Sequence, residues 1–81
     1  MRTMDLKGWV EAMARRLVDR PDQVSVRVVE EDDADVAELS VAPEEVGRVI
    51  GRQGRTVQAL RTLLDVAGDK EGRAYDLEIL D

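Results

Sequence analysis

The sequence predicts an α+β fold in which three strands form one mixed sheet and three helices cover one face of it, in the order α-β-β-α-α-β. Apolar residues recur at helical spacing in three segments and alternate with polar residues in three others. A chain of 81 residues has room for one small core and two layers of structure. Because 43% of the residues are hydrophobic and 37% are charged, the composition is that of a folded domain.

The first element is a helix over residues 4–19. Asp5 is placed to cap its N-terminus, and residues 20–22 carry a proline stop signal. The apolar residues of this segment follow one stripe of a 3.6-residue period: Leu6, Trp9, Val10, Met13 and Leu17.

A hairpin follows the helix. Alternation predicts strands over residues 23–30 and 35–42, and the short acidic connection between them favours antiparallel pairing. Helix and hairpin together make up residues 4–42. The residues predicted to share the inner faces of the two strands are Val24, Val26, Val28, Ala37, Leu39 and Val41.

A helix–turn–helix unit over residues 43–67 comes next. Pro43 suits the first position of one helix, Gly51 ends it, and Gly54 opens a second helix that runs to Ala67. A loop over residues 68–72 and a strand over residues 73–81 complete the predicted domain, 1–81. The apolar faces of these elements are Val46, Val49, Ile50, Val57, Leu60, Leu63, Leu64, Ala67, Tyr75, Leu77 and Ile79. Because two helices separate the second and third strands, a right-handed crossover can place these strands parallel.

The composition excludes several classes of function. The chain has no cysteine and no histidine, so disulfides, Cys/His zinc sites, thiol nucleophiles and Ser-His-Asp triads are absent. The acidic residues 30–33 and Asp35 lack the spacing of an EF-hand loop, and no spacing singles out a catalytic pair of carboxylates. We therefore expect no enzyme, no metal and no cofactor. The lack of cysteine and of long apolar runs predicts a cytoplasmic protein without a membrane segment.

The charge is distributed unevenly along the chain. Twelve basic and eighteen acidic residues give a net charge of −6, which argues against nucleic acid as a partner. Residues 46–64 reverse that balance locally, because they carry four arginines and no acidic residue; the remainder holds eight basic and eighteen acidic residues, a balance of −10. The four arginines are Arg48, Arg52, Arg55 and Arg61.

The turn at residues 51–54 lies inside this basic segment. Gly51 and Gly54 lack a Cβ atom, so they allow unusual backbone angles and close approach of a ligand. Gly54 also precedes a helix, whose free N–H groups and positive dipole end favour phosphate. With Arg52 and Arg55 on the same side, the turn forms an electropositive surface suited to a sugar-phosphate backbone.

The run from Val49 to Gly54, followed by Val57 and Leu60, resembles the VIGxxG signature of KH domains, whose GXXG loop clamps about four single-stranded nucleotides. The element order is that of the type II KH fold. Nearly the whole chain is similar to the small stand-alone bacterial KH proteins of the KhpA family. This resemblance implies binding of single-stranded RNA and an RNA chaperone role. It also implies homodimers or pairing with a larger KH protein of KhpB type that controls cell elongation and envelope growth.

The resemblance also assigns roles to single residues. Gly51 and Gly54 would shape the loop, and Arg52 and Gln53 would face phosphates. The strand over residues 35–42 would offer backbone groups to base edges. The other residues implied in RNA binding are Ile50, Val49 and Val57, under the bases or in the core, and Arg48 and Arg55, flanking the groove; Arg61 is a weaker candidate.

Some alternatives stay open on the sequence alone. Arg48 is at helical spacing from Glu44 and Glu45 and could pair with either of them. A dinucleotide-binding fingerprint is discounted, because the glycine spacing here is G-x-x-x-G-x-x-G and follows a helix, whereas that motif follows a strand. The main functional alternative is a protein-interaction or dimerisation scaffold with only weak RNA binding.

Overall fold

The computed structural model describes residues 4–80 and has the predicted element order. The helices are α1, Leu6–Leu17; α2, Val46–Ile50; and α3, Arg55–Glu71. The strands are β1, Ser25–Glu31; β2, Ala34–Ser40; and β3, Ala74–Leu80. Short 3-10 turns at Pro21–Gln23, Pro43–Glu45 and Arg52–Gly54 precede β1, α2 and α3. Residues 1–3 and 81, which the predicted domain includes, lie outside the described residues.

The three strands form one mixed sheet in the order β1-β2-β3. β1 pairs antiparallel with β2 through a tight turn at residues 32–33, and β2 pairs parallel with β3. The register aligns Val28 with Ala37 and Ala37 with Leu77, so one row of inward side chains crosses the sheet. β2 is therefore the central strand, and β1 and β3 are the edges.

The core lies between the sheet and the three helices. Ala37, Leu39 and Leu77 on the sheet are almost fully buried, as are Val49 of α2 and Leu64 of α3. The opposite face of the sheet carries Arg27, Glu38 and Glu78 in one aligned row and is solvent-facing. The predicted arrangement of helices on one sheet face is confirmed.

Two predictions for the second half of the chain were wrong. The predicted loop at residues 68–72 is the last turn of α3, which ends at Gly72 in the left-handed conformation, with φ 69°. Gly68 lies within α3 at a point where the helix packs closely against the start of β3. A Cβ atom on it would lie 2.3 Å from the Arg73 carbonyl oxygen, so the glycine makes room for this contact. Leu63, predicted to be buried, is 54% exposed because it lies on the outer face of α3.

Candidate nucleic-acid interface

The turn between α2 and α3 contains three residues with positive φ, a backbone conformation that favours glycine. Gly51 adopts φ 78° and ψ 171°, Gln53 φ 58° and ψ 25°, and Gly54 φ 74° and ψ 14°. Gln53 is the one residue other than glycine with positive φ in the described chain. Holding a residue other than glycine in the left-handed conformation costs of order 1–3 kcal/mol, and such residues cluster at binding sites.

Gly51 is required by space as well as by backbone angle. A Cβ atom on Gly51 would lie 2.2 Å from Thr56 Oγ1 and 2.9 Å from the Thr56 backbone nitrogen. The turn therefore folds back closely against the first turn of α3. By contrast, a Cβ atom on Gly54 would meet nothing within 4 Å.

The N-terminus of α3 is open. Gly54 is its N-cap and provides no side-chain hydrogen bond, and no acidic residue lies in the first turn. The side chains of Arg52, Gln53 and Arg55 around it are exposed, and neither arginine takes part in an ion pair within residues 4–80. The helix dipole and two guanidinium groups without an ion-pair partner in the described residues thus add up to a positive field at one exposed turn.

Arg48 has a carboxylate partner that spacing did not predict. Its Nη2 lies 3.0 Å from Asp19 Oδ2, across the interface with the end of α1. Glu44 pairs with Arg20 instead, at 3.0 Å, and Glu45 is buried with its carboxylate accepting the backbone N–H groups of Asp19 and Arg20. The predicted alternative of an Arg48 pair with Glu44 or Glu45 was therefore wrong, while a phosphate contact by Arg48 stays a prediction.

The three apolar residues assigned to the groove separate into two groups. Val49 and Val57 are buried and belong to the core. Ile50 is 37% exposed at the end of α2, directly before the loop. It was predicted on the apolar side of its helix, but it offers an apolar surface next to the turn.

The sequence predicted that the strand over residues 35–42 offers its backbone groups to base edges, but this strand is the central one of the sheet. β2 pairs on both sides, so its backbone groups are used within the sheet. The strand with an open edge on the α3 side is β3. Arg61 of α3 reaches this edge: its Nε and Nη2 donate to the Leu77 carbonyl oxygen at 3.3 and 3.0 Å. Sequence patterns alone do not reveal which strand is the edge, and a part for Arg61 in RNA binding stays a prediction.

A second polar cluster lies at the C-terminal end of α3, away from the turn. The Glu71 carboxylate accepts hydrogen bonds from the Tyr75 hydroxyl and the Met4 backbone N–H. The bond from Tyr75 is the main cause of a lowered pKa for Glu71, and the same bond raises the pKa of Tyr75. Beside them, Arg73 bonds both carboxylate oxygens of Asp35, and this pairing raises the pKa of the guanidinium. These contacts join α3, β2 and β3.

Within 4–80, no group of three or more acidic side chains is arranged to hold a metal ion. None of the helices in that range is long and apolar enough to cross a lipid bilayer.

The fold and the glycine turn together define a KH domain of the type II order, with a helix–GXXG–helix unit between two parallel strands. The family model for the KH domain of KhpA and KhpB matches residues 7–79, and the chain belongs to this family. The resemblance inferred from the sequence is thus confirmed.

Curated relatives are similar over almost their whole length. The chain is 49% identical to the RNA-binding protein KhpA of Aquifex aeolicus, with 94% of this chain and 96% of the relative covered. It is 47% identical to RNA-binding protein KhpA of Halalkalibacterium halodurans, with 94% and 100% covered. For the protein of that name in Clostridium acetobutylicum the identity is 43%, with 93% and 100% covered.

Proposed function

We propose that this protein is a non-catalytic binding module for single-stranded RNA, and that the GXXG turn clamps the sugar-phosphate backbone. The observation that carries the proposal is the exposed turn at the uncapped N-terminus of α3, with Arg52 and Arg55 unpaired beside it. The names of the KhpA relatives support RNA as the ligand. With two aromatic residues, Trp9 and Tyr75, the chain lacks the stacking surfaces of other RNA-binding folds.

The direct test replaces Arg52 and Gln53 by aspartate together. Both side chains are exposed, and aspartate tolerates the left-handed backbone of Gln53, so the fold should remain. We expect loss of binding to single-stranded RNA in fluorescence anisotropy, because three units of negative charge are added at the phosphate site. A matched control, Lys7→Asp with Gln23→Asp, makes the same change in charge at exposed positions elsewhere and should retain binding. Undiminished affinity in the loop variant would refute the proposal.

The salt dependence of binding counts the phosphate contacts. Each neutralised phosphate of a single strand contributes about −0.7 to the slope of log K against log salt, so two to four contacts predict about −1.5 to −3. Arg52→Ala and Arg55→Ala should each reduce the slope by about 0.7. A slope near zero in the wild-type protein would exclude a phosphate clamp.

A second function, pairing with another KH domain, is favoured by the outer face of α3. Leu63 and Val66 lie one turn apart on this helix and are 54% and 56% exposed, although large apolar side chains are mostly buried elsewhere in the described residues. We propose that a second copy of the chain, or a larger KH protein of KhpB type, covers them. A dimer would bring two RNA sites together and raise avidity.

Sedimentation of Leu63→Glu and of the control Thr62→Glu tests this pairing. Thr62 is exposed on the same helix, so its variant makes the same change in charge without removing apolar surface. We expect Leu63→Glu to be monomeric and Thr62→Glu to keep the wild-type mass. A wild-type chain that is monomeric at micromolar concentration and captures no KhpB-type partner would contradict the pairing.

The wider role proposed here follows from the family resemblance. It is that of an RNA chaperone or post-transcriptional regulator in the cytoplasm, acting with a KhpB-type partner in cell elongation and envelope homeostasis. RNA crosslinked to the wild-type protein and to the Arg52/Gln53 variant, then sequenced, would show which transcripts depend on the loop.

A further inference from the structure

The sheet has a second face, on the side away from the three helices. It is formed by the odd-numbered residues of β1 and the even-numbered residues of β2 and β3, which alternate with the core residues. We call it the outer sheet face. Parallel sheets are generally covered on both faces, whereas antiparallel sheets can leave one face to water. The β2–β3 pair is parallel, yet all three helices pack on its other side.

Apolar side chains form a patch on the outer sheet face. The register aligns Val29 of β1 with Val36 of β2, and Ala34 of β2 with Ala74 of β3. Because Ala34 and Val36 are two residues apart on one strand, the four side chains are neighbours. Leu80, at the end of β3 on the same face, is 40% exposed. A partner that covers this patch buries apolar surface without removing a charge from water.

Carboxylates dominate the remainder of the outer sheet face. It carries one arginine and four acidic side chains, a balance of −3. The arginine, Arg27, is paired with Glu38, at 2.8 Å from Nη2 to Oε1. The other three carboxylates, of Glu31, Asp76 and Glu78, take part in no ion pair within residues 4–80. Negative charge is therefore left uncompensated on this face.

The acidic side chains are concentrated along β3. The register places Glu78 directly opposite Glu38, and Asp76 lies two residues away on the same strand and face. Like charges directly opposite each other destabilise a sheet. Arg27 reaches Glu38 from the β1 side and forms no ion pair with Glu78. The free protein thus carries a repulsion that cationic side chains of a partner, lying over β3, would remove.

The dimensions of the outer sheet face fit one helix. Its three strands span about 10 Å from the first to the last, and seven residues of a strand extend about 23 Å. An α-helix is about 10 Å wide and extends about 23 Å in 15 residues. A helix along β2 would lie with one stripe on Val29 and Val36 and one flank over β3.

We propose that the outer sheet face docks a basic amphipathic helix of a partner protein. The apolar stripe of this helix packs on the patch around Val36, and its lysine or arginine side chains pair with Asp76 and Glu78. RNA is a poor occupant, because its phosphates would meet a balance of −3. The GXXG turn belongs to the helix layer, so the docked helix leaves the turn open. The inference does not depend on the proposed RNA binding.

The test uses two synthetic peptides of about 15 residues with leucine at the same helical spacing. Lysine flanks the leucine stripe in one peptide, and glutamate flanks it in the other. Each is titrated into isotope-labelled protein and followed by NMR. We expect the lysine peptide to shift the amide signals of Val29, Val36 and Glu78, and the glutamate peptide to leave them unchanged. Failure of the lysine peptide to bind, or shifts confined to α3, would overturn the inference.

Variants at the acidic positions test the charge complementarity. Asp76→Asn combined with Glu78→Gln should weaken binding of the lysine peptide about fivefold, as expected for two exposed ion pairs. The control, Asp32→Asn with Asp33→Asn, removes the same charge from exposed positions at the hairpin tip and should retain the wild-type affinity. An equal loss in both double variants would mean that the peptide is attracted by net charge alone, which would overturn the inference.

A variant of the patch tests the apolar contact. Val36→Thr keeps the shape and the preference for a strand but replaces a methyl group by a hydroxyl, so it should weaken binding of the lysine peptide about threefold. Val36→Ile keeps the apolar surface and should bind as the wild type does. Equal affinities of these two variants would overturn the inference. Shifts at the same amides on adding an RNA octamer alone, or on raising the protein concentration, would assign the face to RNA or to a second copy and would also overturn it.

Discussion

The two glycines of the turn differ in what a side chain would meet. Gly51 lies in a backbone region that is essentially restricted to glycine, and its Cβ position overlaps Thr56. Gly54 lies in the left-handed helical region, with open space where its Cβ would be. We predict that Gly51→Ala lowers the free energy of unfolding by about 2–4 kcal/mol and Gly54→Ala by about 1 kcal/mol, as measured by urea denaturation.

Gly47 supplies the control for these substitutions. It lies in α2 with negative φ and has nothing within 4 Å of its Cβ position, so Gly47→Ala should be neutral or stabilise by up to about 1 kcal/mol. Equal effects at Gly51 and Gly54 would mean that the contact with Thr56 does not constrain the turn.

Glu71 makes stability depend on pH at the other end of α3. Its pKa is lowered in the folded protein, so its contribution is present above the unfolded pKa of about 4.3 and is lost as pH falls through the folded pKa. We predict that the difference in unfolding free energy between wild type and Glu71→Gln is largest near neutral pH and shrinks below about pH 4. Urea denaturation over this range measures it.

Tyr75→Phe tests the cause of this dependence. The Tyr75 hydroxyl makes the hydrogen bond that lowers the pKa of Glu71 most, so the same comparison in a Tyr75→Phe background should give a weaker dependence on pH. An unchanged dependence would place its origin in groups other than this pair.

At the scale of elements, a buried carboxylate at the start of α2 adds to the core contact of Val49 in holding this helix in place. Glu45 is 5% exposed and accepts the backbone N–H groups of Asp19 and Arg20, between α1 and β1. We predict that Glu45→Ala lowers the free energy of unfolding by about 1–3 kcal/mol, because it leaves these two donors without a partner. RNA affinity should fall as well, since α2 leads directly into the turn.

The neighbouring Glu44 is the matched control. Its pair with Arg20 is exposed on both sides, so Glu44→Ala should cost less than about 1 kcal/mol. If the two alanine variants proved equally stable, the buried contacts of Glu45 would not hold α2 in place.

The helices and strands themselves were largely predictable from the sequence. The spacing of apolar residues and the positions of the glycines are properties of short segments and do not depend on tertiary contacts. The hairpin, the three helices and the third strand follow from such signals. The misassigned residues depend on tertiary contacts: Gly68 resembles a helix breaker unless the approach of β3 is known, and Leu63 belongs to an apolar helix stripe that is wider than the core it meets. In the site, Gly51 to Gly54 were predictable from the motif, whereas the contact of Arg61 with Leu77 required the identity of the edge strand.

Over the whole molecule, the charges separate into a basic site and an acidic remainder. The four arginines of residues 46–64 contrast with a balance of −10 elsewhere. Like-charge repulsion should keep RNA away from surfaces other than the site. The tip of the β1–β2 hairpin is part of this acidic surface, with Glu31, Asp32 and Asp33 all exposed.

We predict that Glu31→Gln, Asp32→Asn and Asp33→Asn, combined, raise affinity for RNA at low salt. Non-specific attraction grows when the repulsive charge is removed, and the effect should disappear at high salt because of screening. Anisotropy titrations at two salt concentrations measure both effects. An affinity unaffected by the three substitutions at low salt would show that the acidic surface does not repel RNA.

The parallel pairing of β2 with β3 links ligand binding to the folding reaction. β1 and β2 pair through a local hairpin, but β3 reaches β2 only after the chain has crossed over through α2, the turn and α3. On the proposed function, RNA binds the turn within this crossover, and it would therefore favour molecules in which the long-range pairing has formed. RNA at one hundred times its dissociation constant would then stabilise the fold by about 2.7 kcal/mol, and partly folded chains that retain only the hairpin would not compete for it.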